Sequence, residues 1–249
     1  MDLQKIDSFF AGWEETMIWS CLQGCMGSII PDCLENPKAA MLTIGDFCFF
    51  GGQPTESLIK QAAAFILVPQ NQNWAQKIES VWQEKVTKGT RYAIQKEPDI
   101  FNLEKLSQYA HSLDGDYSIQ LFNEEIYNAA LAESWSKDLC SLFENYQDFK
   151  NRGIGVAALF QGRFVAGASS YSVYQGGIEI EIDTKPEFRR KGLATACGAR
   201  LILECLSRNL YPSWDAHDLR SVMLAEKLGY HRDHPYPVYF LNQQMTAEQ

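Results

Sequence analysis

The amino-acid sequence predicts an α/β protein, and the prediction rests first on the stretch from Gly177 to Leu206. Ile178, Ile180 and Ile182 alternate with acidic residues, which is the period of a strand with two different faces. Apolar residues at helical spacing follow directly, as expected for a helix packed on a sheet. Short apolar runs separated by turn residues predict further strands and helices in the first half of the chain.

Composition places the chain among ordinary globular proteins. Its 249 residues suffice for one large domain or two smaller ones, with 46% hydrophobic and 21% charged residues. The net charge of −9 argues against a nucleic-acid partner, which favours a basic surface. No apolar run approaches the roughly 18 residues of a membrane span, and no secretory signal opens the chain. We therefore expect a cytoplasmic protein with reduced thiols and no membrane or nucleic-acid partner.

The first part of the chain, residues 1–113, is expected to form an N-terminal α/β lobe. Apolar spacing predicts an amphipathic helix over 6–17, and glycine and proline predict a loop over 24–38. A Gly-Asp pair at 45–46 separates two apolar runs, which is typical of a hairpin. The remaining elements that we expect are helices over 55–63, over 74–82 and from the cap Asn102 onward, with strands over 64–68 and 91–94.

The second part, residues 114–249, is expected to form a separate domain, because turn residues from His111 to Asp116 mark a boundary. Gln161 and Gly162 predict a hairpin. The expected strands cover 117–121, 153–160, 163–171, 178–184, 211–216 and 238–241, the last of which completes the sheet. The expected helices cover 123–132, 136–146, 193–206 and 218–228, the last with Asp218 as N-cap and Gly229 after its end.

A basic turn links the alternating strand to the helix that follows it. Pro186 ends the strand, and Arg189, Arg190 and Lys191 precede Gly192. A helix N-terminus offers unpaired N–H groups and the positive end of its dipole, and glycine lets a ligand approach the backbone closely. The pattern is typical of a diphosphate-binding turn. It is neither a Walker loop nor a dinucleotide fingerprint, because the glycines of those motifs are missing.

Three segments carry a resemblance to a known superfamily. The segment R-x-x-G-x-A at 189–194 resembles the acyl-CoA pyrophosphate motif (Q/R)xxGx(G/A) of the GNAT N-acetyltransferases. The segments WDA at 214–216 and SVMLAEKLGY at 221–230 resemble the later part of that superfamily. Together they look most like the two-domain branch that includes zwittermicin-resistance-type acetyltransferases. The resemblance covers 115–249 well and the residues before it only faintly.

The resemblance implies a GNAT fold for residues 114–249, with a mixed, mostly antiparallel sheet flanked by helices. It implies acetyl-CoA as co-substrate, so that CoA and a small-molecule amine acceptor are the expected partners. Backbone N–H groups of the turn would hold the diphosphate, and the pantetheine arm would pair with the strand edge at 182–184. The residues that we accordingly expect to bind the co-substrate are Ile182, Asp183, Thr184, Arg189, Arg190, Lys191, Gly192, Leu193, Ala194, Thr195 and Ser221.

Two carboxylates are candidates for the catalytic base. An ammonium group has a pKa of about 10, so it has to lose a proton before it attacks a thioester. By resemblance, a carboxylate on the central strand takes that proton directly or through water, with Glu179 as first candidate and Glu181 as reserve. Asp183 is expected on the solvated face of the same strand. The superfamily's usual general acid is a tyrosine, but Ala225 stands at that position, which leaves Ser221, a water or no acid at all.

Three functions remain open on the residues alone. The first is acetyl transfer to an amine by direct attack in a ternary complex, which the paired glutamates favour. The second is an acyl-CoA-binding sensor or regulatory module without turnover, which the missing tyrosine favours. The third is a nucleotide-binding α/β protein. Cys21 with Cys25 and His231 with His234 are more typical of structural positions than of metal sites, so we expect no metal. A homodimer is compatible with the sequence.

Overall fold

The structure is a computed structural model that describes residues 2–242. Over these residues the α-helices are α1 (Leu3–Phe9), α2 (Thr16–Leu22), α3 (Glu56–Gln61), α4 (Gln72–Trp82), α5 (Leu103–Ala110), α6 (Glu124–Ala132), α7 (Tyr146–Arg152), α8 (Leu193–Ser207) and α9 (Leu219–Leu228). The strands are β1 (Ser28–Pro31), β2 (Ala39–Ile44), β3 (Phe47–Gly52), β4 (Ile66–Pro69), β5 (Val86–Ile94), β6 (Tyr117–Leu121), β7 (Gly155–Phe160), β8 (Arg163–Tyr174), β9 (Gly177–Thr184), β10 (Tyr211–Ser213), β11 (Asp215–Ala216) and β12 (Arg232–Leu241). None of these helices is both long and apolar enough to cross a membrane.

The chain divides into two compact units, residues 2–91 with 235–242 and residues 92–234. In the first unit the strands follow the order β1-β2-β3-β4-β12-β5. Strands β1, β2 and β3 pair antiparallel, whereas β3 and β4 run parallel. One face of this sheet packs against α3 and α4 through a buried apolar cluster that includes Phe50, Trp74 and Tyr239. The cluster gives the first unit a core of its own.

The second unit is built on a five-stranded sheet with the order β10-β9-β8-β7-β6. Its strands pair antiparallel except for β9 and β10, which run parallel, so the mixed, mostly antiparallel sheet is confirmed. Gly198 of α8 has no side chain, and a Cβ there would lie 3.0 Å from Ile182 Cδ1. This close approach places α8 on the isoleucine face of β9, so the acidic residues of β9 point to the opposite face.

The structural division differs from the boundary expected at 113–114. Helix α5 packs against α8, and residues 92–110 therefore group with the sheet of the second unit. Strand β12 pairs with β4 of the first unit. Residues 238–241 thus do not complete the second sheet, and that prediction was wrong. That residues 1–113 shape the acceptor site stays a prediction.

Two N-terminal predictions were also wrong. The helix expected over 6–17 is instead two helices, α1 and α2, and Gly12 between them has a left-handed φ of +76° that a helix cannot continue through. The loop expected over 24–38 contains β1, which pairs antiparallel with β2. Glycine and proline surround this short strand, and they concealed it in the sequence.

Two predictions for the second half of the chain were also wrong. The helix expected over 136–146 is a single 3-10 turn at Lys137–Leu139. Helix α7 begins after it, where the Asn145 side chain accepts a hydrogen bond from the N–H of Asp148 as N-cap. The strand expected over 211–216 is two short strands, β10 and β11, which belong to different sheets.

The expected turn and caps are confirmed. Gln161 and Gly162 both have positive φ, as a two-residue type I′ hairpin turn requires. Asn102 and Asp218 accept hydrogen bonds from N–H groups at the starts of α5 and α9. Gly229 follows the end of α9 with a φ of +112°.

Candidate active site

Strands β9 and β10 separate after three pairs of residues. Residues 211–213 pair in parallel with 177–179. The chain then turns away into β11, which pairs with residues 92–93 at the end of β5 instead of with β9. Within the described part of the chain, residues 180–184 of β9 therefore have no strand on that side. The result is an open sheet edge at which an extended ligand can pair.

A row of three side chains crosses the sheet at the point where the two strands separate. Ser172 on β8, Glu179 on β9 and Ser213 on β10 are register partners and lie on the same face. All three are buried, and Glu179 is only 3% exposed. The register of β8 shifts at Tyr171, and such a bulge re-aims nearby side chains. Among residues 2–242, the hydroxyl oxygens of Ser172 and Ser213 are buried without a hydrogen-bond partner.

The acidic face of β9 continues from this row toward the end of the strand. Glu181 and Asp183 follow on that face, and both are partly buried. Burial raises the pKa of Asp183 to about 6, the charge of Asp138 acts in the same direction, and Arg189 opposes the shift. The prediction that Asp183 lies in solvent was wrong, because the 3-10 turn that carries Asp138 packs against β9.

The turn between β9 and α8 has a left-handed backbone at two positions. Arg190 has a φ of +60° and Gly192 a φ of +82°, a region that costs other residues free energy. Nothing lies within 4 Å of the position that a Cβ of Gly192 would occupy. No side chain in the described residues caps α8, so the first N–H groups of the helix have no side-chain acceptor. The Nε of Arg189 donates to the carbonyl oxygen of Thr184 at 3.2 Å, which ties the turn to the end of β9.

Positive charge surrounds the N-terminus of α8. The three cations of the turn, residues 189–191, are exposed. From α9, Lys227 Nζ donates to Thr195 Oγ1 at 3.3 Å and lies 5.2 Å from the centre of the Tyr109 ring. Lys227 stands in the SVMLAEKLGY segment but was not among the residues predicted to bind the co-substrate. Only the packing of α9 beside α8 brings this cation to the turn.

The residues predicted to bind the co-substrate fall in two places. Residues 182–184 at the end of β9 lead along the chain to residues 189–195, which form the turn and the first turn of α8. Ser221 lies apart from this stretch, at the start of α9. Its Oγ accepts a hydrogen bond from the indole Nε1 of Trp214 at 3.0 Å, and its N–H donates to Asp218. The assignment of Ser221 to the co-substrate stays a prediction.

Two tyrosines lie near Glu179, and both hydroxyl groups have partners. Tyr230 donates to a backbone carbonyl of β10 at 2.6 Å, and Tyr211 accepts from the N–H of Glu97 at 3.0 Å. Burial raises the pKa of Tyr211 to about 12 and that of Tyr230 well above its usual value. Ala225 is fully buried, so core packing accounts for the residue at the usual tyrosine position.

Cys21 and His231, for which the sequence favours structural positions over metal sites, both have contacts with other residues. Cys21 is buried with its thiol 3.7 Å from the carbonyl oxygen of Thr43, and burial raises its pKa to about 12. His231 Nδ1 lies 2.7 Å from Glu97 Oε2. Over residues 2–242, no group of three or more histidine, cysteine, aspartate and glutamate side chains is placed to hold a metal ion.

Comparisons with known proteins bear on the family and the fold of the chain. The model of the GNAT acetyltransferase family matches residues 7–239. The crystal structure of a GCN5-related N-acetyltransferase-like protein from Streptococcus suis is 43% identical, with a TM-score of 0.93, over 96% of this chain and 97% of that one. The uncharacterized N-acetyltransferase YdfB of Bacillus subtilis is 25% identical over 203 residues, 78% of this chain and 73% of the relative. A GCN5-related N-acetyltransferase from Kribbella flavida, 14% identical with a TM-score of 0.56 over 86% of this chain and 90% of that one, shares the fold alone.

The comparisons and the arrangement of the site indicate the same family. The family model spans nearly the whole chain, and the relative from Streptococcus suis is similar over nearly its whole length. The split edge of the sheet, followed by a helix that begins at a left-handed glycine, is the arrangement implied by the sequence motifs. The chain therefore belongs to the GNAT acetyltransferase family.

Proposed function

We propose that the chain transfers the acetyl group of acetyl-CoA to the amine of a small molecule, by direct attack in a ternary complex. The observation that carries the proposal is the open edge of β9, which leads directly into the N-terminus of α8. These two features offer, in order, a strand edge for an extended arm and N–H groups for a diphosphate. The strand edge suits the pantetheine arm of CoA, and the helix N-terminus suits its diphosphate.

The turn suits a diphosphate in both shape and charge. The first N–H groups of α8 and the positive end of its dipole favour an anion there. Gly192 leaves the approach to the backbone open, since no side chain projects from it. Residues 189–191 and Lys227 place four positive charges around this turn, although the chain as a whole has a net charge of −9. Such a local concentration of cations on an acidic chain supports a small anionic ligand at this turn.

Glu179 is the proposed catalytic base, and Glu181 is the second candidate for this role. Glu179 lies where β9 and β10 separate, and Glu181 lies about 7 Å further along the strand. Acetyl-CoA supplies the acetyl group as a reactive thioester. The acceptor nitrogen forms a bond to the acetyl carbon while the C–S bond breaks, and Glu179 takes the ammonium proton directly or through water.

The thiolate of CoA can leave without a proton donor from the protein. A thiol has a pKa of about 8.5, so its thiolate is a tolerable leaving group at neutral pH. The hydroxyl groups of Tyr211 and Tyr230 are engaged in hydrogen bonds and have raised pKa values, which makes both tyrosines poor proton donors. Orientation of the two bound substrates therefore supplies much of the rate in this proposal.

Release of free CoA over a panel of primary amines tests the proposal. We expect acetyl-CoA to bind the full-length chain, and CoA to be released only with an accepted amine. Chromatography is the suitable readout, because the exposed thiol of Cys33 would react with a thiol reagent. Binding of acetyl-CoA without amine-dependent release would point to a sensor or regulatory module instead. Displacement of bound CoA by ATP or NAD would point to a general nucleotide-binding protein.

A further inference from the structure

We infer that the ribose 3′-phosphate of CoA binds beside the N-terminus of α8, at a cationic subsite formed by Lys105 and Tyr109 of α5 with Lys227 of α9. The inference rests on the proposed function and adds to it a subsite for one particular group of the co-substrate. Two observations carry it. Both lysine side chains meet at the same tyrosine ring, and neither forms an ion pair with a carboxylate of the described residues.

Helix α5 brings its last turn to the beginning of α8. Phe101, which precedes α5, contacts Tyr211, which follows α8, with their ring centroids 6.2 Å apart. At the other end of α5, Tyr109 lies beside Lys227, whose Nζ donates to Thr195 Oγ1 in the first turn of α8. The two packed helices therefore run in opposite directions, and the end of α5 lies next to the proposed diphosphate turn.

The two lysines reach one aromatic ring from different helices. Lys105 Nζ lies 5.7 Å from the centroid of the Tyr109 ring, and Lys227 Nζ lies 5.2 Å from it. Lys105 and Tyr109 are four residues apart and therefore share one face of α5. The ring is partly buried, and its π-system attracts both ammonium groups, so it holds two otherwise flexible side chains close together.

The positive charge of this pair of lysines is not offset by an ion pair. Other lysines of the chain do form ion pairs with glutamates, namely Lys60, Lys88 and Lys185. The chain has 31 acidic and 22 basic residues, so a shortage of carboxylates does not explain the difference. Glu104 and Glu226 adjoin Lys105 and Lys227 in the sequence, but consecutive residues of a helix do not face each other. The ammonium groups are therefore available to an anion.

The 3′-phosphate is the part of CoA that matches this pair of cations. The N–H groups of α8 and residues 189–191 already suit the diphosphate, and the ribose separates the 3′-phosphate from it. A phosphate monoester carries about 1.5 to 2 negative charges at neutral pH, and lysine binds phosphate as a point charge. Lys227 contacts both Thr195 and the Tyr109 ring, so the positive charge extends from the turn to Lys105.

Calorimetric titration of the full-length chain with CoA and with dephospho-CoA tests the inference. The two probes differ only in the 3′-phosphate. Each exposed ion pair contributes about 2- to 5-fold in affinity, so two lysines should make CoA bind about 10-fold more tightly than dephospho-CoA. Added salt should reduce this preference, since it depends on charge.

Substitutions on α5 assign the preference to residues. Lys105→Gln should weaken CoA by about 2- to 5-fold and leave the affinity for dephospho-CoA unchanged, whereas Lys105→Arg keeps the charge and should keep the preference. Tyr109→Leu removes the ring that holds both lysines and should reduce the preference, while Tyr109→Phe should retain it. Lys150→Gln is the matched control, since it removes the same charge from an exposed position on α7 and should change neither affinity.

The possible outcomes separate this inference from the proposed function. If dephospho-CoA binds as tightly as CoA, or if Lys105→Gln and Lys150→Gln behave alike, the inference is overturned while the diphosphate site at the turn stands. Equal weakening of both probes by Lys105→Gln would place this lysine at the diphosphate and would also overturn the subsite. A chain that binds neither probe would overturn the proposed function and this inference with it.

Thermal unfolding shows whether each variant remains folded. Lys105 is exposed, so its replacement should leave the core unchanged. Should Tyr109→Leu fail to fold, the lysine variants and the two probes on the unchanged chain still decide the question.

Discussion

Replacement of Gly192 by aspartate adds one negative charge at the turn where the structure has room for it. Nothing lies within 4 Å of the position of a Cβ, so aspartate and asparagine both fit without collision. The φ of +82° costs a residue other than glycine about 1 kcal/mol, and less for aspartate or asparagine. This strain is common to the two variants, so the difference between them isolates the charge.

The charge should reduce the affinity for CoA. Two unit charges about 5 Å apart repel by about 3 kcal/mol at an effective dielectric constant of about 20. Gly192 is exposed, so solvent and salt screen the repulsion, and we expect about half of it to remain. Gly192→Asp should therefore bind CoA roughly 10-fold more weakly than Gly192→Asn.

Titration calorimetry with CoA measures this difference in affinity, and thermal unfolding shows whether both variants remain folded. The gap between Gly192→Asp and Gly192→Asn should narrow as salt is added, because screening shortens the range of the repulsion. Equal affinity of the two folded variants for CoA at low salt would refute a diphosphate site at this turn.

Two further substitutions test the charges around the site. Lys227→Gln should weaken CoA binding by about 2- to 5-fold, because an exposed ion pair contributes about 0.5 to 1 kcal/mol. Lys227→Arg keeps the positive charge and should retain the affinity. Titration that shows no loss of affinity in Lys227→Gln would contradict a contribution of Lys227 to CoA binding. The pKa of Asp183 is raised from 3.8 to about 6 in the folded chain, so its ionisation destabilises the fold as the pH rises from about 4 to 6. Urea unfolding should accordingly show Asp183→Asn gaining about 1 to 3 kcal/mol over the unchanged chain between pH 4 and pH 7, and a gain independent of pH would argue against burial of this carboxylate.

The local features of the site were predictable because each depends on a few neighbouring residues. The alternation of isoleucine and acidic residues predicted β9 to within one residue of its observed start. The turn after it predicted α8 to within one residue of its observed end. The family followed from the same residues, since its motifs lie in this turn and in α9, and the comparisons confirm it.

The long-range arrangement was not predictable from periodicity. Residues 211–216 form one extended run in the sequence, and their division into β10 and β11 depends on which partner each half finds. The row Ser172–Glu179–Ser213 requires the register of three strands and a bulge, which no local pattern encodes. The position of Lys227 requires the packing of α9 beside α8. Each of these features arises from pairing between distant segments.

Turnover of Glu179→Gln tests most directly the central claim that Glu179 removes the proton from the acceptor amine. We predict a fall in kcat of roughly 10²-fold or more, with the affinity for acetyl-CoA unchanged, because the carboxylate takes part in proton transfer and does not hold the diphosphate. The deficit should narrow between about pH 6 and pH 9, as the fraction of free amine rises toward the pKa of about 10. Full turnover of Glu179→Gln across that range would contradict the claim, and a loss confined to Glu181→Gln would assign the base to Glu181.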